Sequence, residues 1–140
     1  MTICIKADSS LTVLGTGDFV HAFFSTVSVN LEPDGWGTRF PVTMNELYQG
    51  ELAKASAKRC LEELTTIHEE LKAYPPAKVV WDIEDRSKSP PWGDAISPDI
   101  SSLSDYFVTS GGRDVFDVLV ENIEYLIEEP ECQSISLVNR

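Results

Sequence analysis

In WDIEDRSKSPPWGD, residues 81–94, four carboxylates, Asp82, Glu84, Asp85 and Asp94, lie between and beside two tryptophans. Clustered carboxylate oxygens suit calcium, magnesium or manganese, and a carboxylate pair held in unlike environments can divide acid and base roles. The spacing is not that of a calcium loop. Counting from Asp82, the sixth position is Ser87 where a glycine must make the sharp turn, and Trp92-Gly93-Asp94 stands where the closing glutamate belongs. Two other readings stay open beside metal or acid–base chemistry. The carboxylates can fix a loop by accepting backbone N–H bonds or pairing with Arg86, Lys88 or Arg39, and two tryptophans with Pro90-Pro91 can form a rigid amphipathic contact surface.

The other motifs fail on their own terms. His68-Glu69-Glu70 begins like a zinc-protease helix, but position 72 is Lys where a second imidazole is required. LGTGDF, residues 14–19, lacks the third glycine of a dinucleotide loop, and Asp18 sets a negative charge where a pyrophosphate would meet the helix N-terminus. SGGRD, residues 110–114, has the glycines and the arginine of an anion cradle, yet Asp114 and Asp117 already offset the dipole of the helix that follows. There is no G-x-S-x-G elbow, and only His21 and His68 are available as bases. Cys4, Cys60 and Cys132 are odd in number, far apart and outside any C-x-x-C pattern, which points to reduced thiols.

The elements that must hold these residues follow from periodicity. Short alternating runs in TICIKA and SLTVLG, separated by Asp8-Ser9, predict a strand hairpin. Phe19, Val20, Phe23, Phe24, Val27 and Leu31 recur at helical spacing, with Asp18 as the expected cap and Pro33-Asp34-Gly35 as the stop. A short helix is expected in FPVTMNELYQG, closed by Gly50 in a left-handed position, and a long one from Glu51 to Ala73 ended by Pro75-Pro76. KVVWDI and YFVTS read as strands, which would put Asp82 and Glu84 on one strand face. Phe116 to Ile127 reads as a last helix and SISLV as a last strand. This mixture predicts an α+β fold, with helices packed on one mainly antiparallel or mixed sheet, in a single domain spanning residues 1–140.

Composition narrows the partners. A net charge of −12, with 23 acidic against 11 basic side chains, would repel nucleic acid, and no run of apolar residues is long enough to cross a membrane. Residues 79–140 carry 13 acidic and 4 basic side chains, −9 of the −12. A field of that sign favours a basic partner, but on charge alone the reading of an acidic surface that simply keeps a protein soluble comes first.

GWG at 35–37, RFPVTMNELYQGEL at 39–52, VVWDIED at 79–85 and PPWGDAISPDISSLSDYFVTSGGRD at 90–114 together resemble the immunity protein 70 family of bacterial polymorphic toxin systems. The likeness runs from the first strand through the last helix. It implies a small cytoplasmic protein, encoded near a secreted toxin, that protects the producing cell by binding that toxin, with no catalysis and no cofactor. It carries over no contact residues. From the residues themselves, Trp36, Asp82, Glu84, Asp85, Trp92 and Asp94 are the candidate partner contacts, with Trp92 as the exposed anchor and Trp81 as a core residue. The competing readings are a metal-dependent hydrolase built on Asp82, Glu84, Asp85 and Asp94, and an acidic adaptor docking through Asp117, Glu121 and Glu124 of the last helix.

Overall fold

A computed structural model describes residues 1–140. Strands β1 (Thr2–Ala7) and β2 (Ser10–Thr16) form the expected hairpin, turning at Asp8, whose φ of 55° is a left-handed value that aspartate tolerates better than most residues. Helix α1 (Gly17–Leu31) follows at once. A π-helix (Val42–Tyr48), strand β3 (Glu51–Ala53), helix α2 (Ala57–Leu71), helix α3 (Val115–Glu128) and strand β4 (Ser134–Asn139) complete the order. The four strands form one open antiparallel sheet in the order β2-β1-β4-β3, so the fold is α+β.

Register decides which side chains meet the helices. Ala7 lies opposite Ile135, and Leu52 opposite Ile135 from the other side, placing three buried side chains on the covered face. Lys6, one residue out of phase, is exposed. Between Ile3 and Cys4 the β1/β2 register shifts: Cys4 faces Val13 and Ile3 faces Gly15, leaving Leu14 as the extra residue, 1% exposed in the core. Above the sheet, Phe23 is the hub. Its ring meets Phe24, Phe107 and Phe116 edge to face at 5.0, 5.3 and 5.2 Å, so α1, α3 and the segment before α3 share one aromatic centre.

Several elements depart from the sequence expectation. The cap of α1 is Thr16, whose hydroxyl accepts from Phe19 N at 3.1 Å, and Asp18 sits in the first turn instead. Gly50 does not adopt a left-handed conformation; the helix before it widens to π geometry and closes at Gln49. The buried Glu63 carboxylate receives Thr43 N at 2.8 Å at the start of that π-helix, a negative charge at the positive end of the segment. The expected long helix loses its first turn to β3. Leu52 is fully buried against β4 and Lys54 N bonds Gln133 O, a pairing that outweighs the helix-favouring composition of this stretch.

KVVWDI is not a strand: Lys78 ends a short 3-10 helix (Pro76–Lys78), the chain bends at Trp81 and turns at Ile83, and side chains of α1 serve as partners for its backbone. Thr26 Oγ1 accepts from Val80 N at 2.9 Å and donates to Val80 O at 3.1 Å, Ser25 Oγ accepts from Ile83 N at 3.1 Å, and Asn30 donates to Lys78 O at 3.0 Å. These side chains substitute for a neighbouring strand. YFVTS contributes only a single bridge, Val108 to Asp114, flanked by Thr109 N to Arg113 O and Val115 N to Phe107 O, and leads directly into α3.

Candidate functional site

The segment from Val79 to Val108 lies over α1 and carries most of the residues singled out above. Trp81 is 8% exposed and belongs to the core. Trp92 meets its ring edge to face at 5.3 Å and donates its indole N–H to the Tyr106 hydroxyl at 2.8 Å. Those two contacts fix the orientation of Trp92 while 40% of its surface stays exposed. An aromatic side chain held this way loses little rotational freedom when something docks on it.

The four carboxylates separate into two kinds. Asp82 is occupied: it accepts from Glu84 N at 2.9 Å in a local turn and from His21 Nε2 at 3.2 Å, with Lys88 at 3.5 Å. The bond from Glu84 N, followed by the His21 and Lys88 contacts, holds its pKa below the ordinary aspartate value. Asp85 closes the next turn on Ser87, whose side-chain and backbone donors lower its pKa likewise. Glu84 and Asp94 are exposed and pair with no cation. With KVVWDI out of the sheet, Asp82 and Glu84 do not share a strand face. No three His, Cys, Asp or Glu side chains converge as a set that could ligate one ion.

His21, undistinguished in the sequence, turns out to be the centre of a polar array. Its Nε2 meets Asp82 and its Nδ1 lies 2.9 Å from the Tyr48 hydroxyl. An ionised carboxylate can only accept, so Nε2 carries the proton and, in the neutral ring, Nδ1 accepts from Tyr48. The order carboxylate, imidazole, hydroxyl is that of a nucleophilic relay. Burial, together with the negative charges of Glu84 and Asp82, raises the Tyr48 pKa, the opposite of what an attacking phenolate needs. The array therefore ties three separate pieces of chain together: α1, the π-helix and the Asp82 turn. Long-range pairing of this sort, across 27 and 61 residues, leaves no local signal in the sequence.

Trp36 stands apart from the Trp92 loop. It is half-buried, tilted against Tyr48 at 5.9 Å, with its indole N–H buried and without a hydrogen-bond partner. The turn that carries it hangs on Glu32, only 3% exposed, whose carboxylate accepts from Gly37 N at 3.0 Å, Arg39 N at 3.1 Å and Phe40 N at 3.0 Å. Gly37 has φ of 73°, a left-handed position where a side chain would be strained. The glycine pair in SGGRD is punctuation of a similar kind: Arg113 pairs with Glu121, and Asp114 caps α3 by accepting from Phe116 N at 2.8 Å. His68 is half-buried with its ring edge-on to Phe116 at 4.7 Å.

The family model described as Immunity protein 70 matches residues 5–135, nearly the whole of the chain. The chain belongs to the Immunity protein 70 family. No curated protein and no solved structure matches it. For this member of the Immunity protein 70 family, the geometry divides the six candidate contacts. Trp92, Glu84 and Asp94 are presented to solvent, Asp82 and Asp85 shape the loop that presents them, and Trp36 is half-buried against Tyr48. No helix is long and apolar enough to cross a membrane.

Proposed function

We propose that this protein is a cytoplasmic immunity protein that neutralises a cognate bacterial toxin by stoichiometric binding, with no catalytic step of its own. Membership of the Immunity protein 70 family supports a protein toxin as the partner. The observation that carries the binding reading is Trp92, locked by Tyr106 and Trp81 yet 40% exposed, beside unpaired carboxylates on a chain of net charge −12. Aromatic anchors of this type concentrate binding energy, and charge of one sign speeds and orients the approach of a partner of the other. Trp92, Glu84 and Asp94 make direct contacts in this reading. Asp82 and Asp85 hold the loop, and Trp36 supports the adjoining surface through Tyr48.

The test is expression beside the toxin encoded next to the gene. The protein should co-purify with that toxin domain in a fixed ratio and restore growth of cells that express it. Failure to bind the domain, together with failure to rescue, would refute the proposal.

A further inference from the structure

Beside Trp92 the surface opens into a groove of about 210 Å³ lined only by aliphatic and aromatic residues. Its walls include Phe19 from the first turn of α1, Trp92, Ile96 and Ile100 from the long loop, and Tyr106 and Val108 from the segment before α3. Val108 is 46% exposed and Trp92 40%, so the groove is open to solvent. Its floor is fixed, because Tyr106 packs on Phe107 at 5.0 Å and holds Trp92 by the indole hydrogen bond. Such a volume is on the scale of one large side chain.

Three carboxylates sit immediately next to lining residues in the chain: Asp18 beside Phe19, Asp94 beside Ala95, and Asp99 beside Ile100. All three are exposed, and none is in an ion pair. Burial raises the pKa of the Tyr106 phenol, and Asp94 is near enough to raise it further. An occupant that covered the groove without bringing positive charge would strip water from unpaired carboxylates for no return. A second copy of this chain would bring the same carboxylates against them. Charge therefore selects the occupant.

Resting on the toxin-binding reading above, we infer that this groove receives a single large apolar side chain of the toxin domain, flanked by lysine or arginine residues that pair with Asp18, Asp94 and Asp99. The apolar contact supplies the grip and the basic flank supplies the orientation.

The experiment measures binding of the purified toxin domain by calorimetry to the full chain and three variants. Val108→Asp puts a charge at the mouth of the groove on an already exposed side chain. Asp94→Lys with Asp99→Lys reverses the rim at side chains that make no hydrogen bond. Glu62→Lys with Glu124→Lys makes the same change in net charge at exposed positions on α2 and α3 outside the groove. Circular dichroism and thermal melting report that each variant folds. Val108→Asp should weaken binding by at least about tenfold, and the rim variant should do the same while reducing the dependence of affinity on salt. The charge-matched control should stay within about threefold of the unaltered chain. If the unaltered chain binds and both groove variants bind within about twofold of it, the groove inference is overturned and the toxin-binding reading survives. If the unaltered chain does not bind, both fall. If Val108→Asp converts a dimer to a monomer in sedimentation, the groove is a contact between copies and the inference is wrong.

Discussion

Replacing Glu32 by Ala tests whether one buried carboxylate holds the Trp36 turn. Three backbone donors converge on it, from Gly37, Arg39 and Phe40. They are not equal: Phe40 is 3% exposed, whereas Gly37 is half-buried and Arg39 exposed. A hydrogen bond to a charged acceptor contributes about 1.5–3 kcal/mol, and a buried donor left without a partner loses that and cannot recover it from water. The two more open donors recover water and cost about 0.5–1 kcal/mol each. The sum is about 2.5–5 kcal/mol, which for a chain of this size lowers the melting temperature by roughly 8–18 °C. Glu32→Gln keeps one acceptor oxygen and loses the charge, so about 1–3 kcal/mol is expected. Urea unfolding at neutral pH, with the slope checked for constancy, gives both values. A loss below about 1 kcal/mol for Ala, or a Gln variant as damaged as the Ala variant, would refute the assignment of the carboxylate as the organising acceptor.

Asp82 predicts a pH dependence of definite sign. Its folded-state pKa lies below its ordinary value of 3.8, chiefly because Glu84 N donates to it, so its contribution is complete above that value and disappears as pH falls through the lower folded one. Asp85 and Asp105, also shifted down, add to the same acid limb. Urea melts between about pH 2 and pH 6 should show stability falling with acid, and Asp82→Asn should flatten that fall; an unchanged acid limb in the variant would sink the argument. The thiols offer a second measurement. Burial pushes Cys60 up to about 12, and Cys4 and Cys132 are buried too, so a disulfide reagent near pH 8 should find no fast thiol until denaturant exposes all three. One rapidly reacting thiol in the folded protein would contradict the packing described.

What the sequence reveals and conceals has a physical pattern. The hairpin, α1, α3 and β4 were legible because each repeats its apolar residues with its own period over six or more positions. Glu51–Ala53 was not, since three residues carry no period and their pairing with β4 depends on a chain segment more than eighty residues away. KVVWDI has strand composition, but its partners are a row of helix side chains and its backbone bends and turns rather than running as a strand, which composition alone does not reveal. At the site, Trp81 in the core and Trp92 at the surface followed from a strand-like run and an irregular one. The roles of Asp82 and His21 did not, because an array formed across 61 residues exists only after folding.

The clasp that α1 places on residues 78–83 has a consequence for how the protein can change over time. Thr26, Ser25 and Asn30 hold one end of the long loop from a helix, so none of the sheet's own ladder depends on what the loop contains. Residues 84–100 can therefore exchange side chains, or grow and shrink, without moving a strand out of register. Under the toxin-binding function proposed above, this arrangement gives the chain a tolerant surface and a demanding clasp of three short polar side chains. Substitution is cheap in the former and costly in the latter.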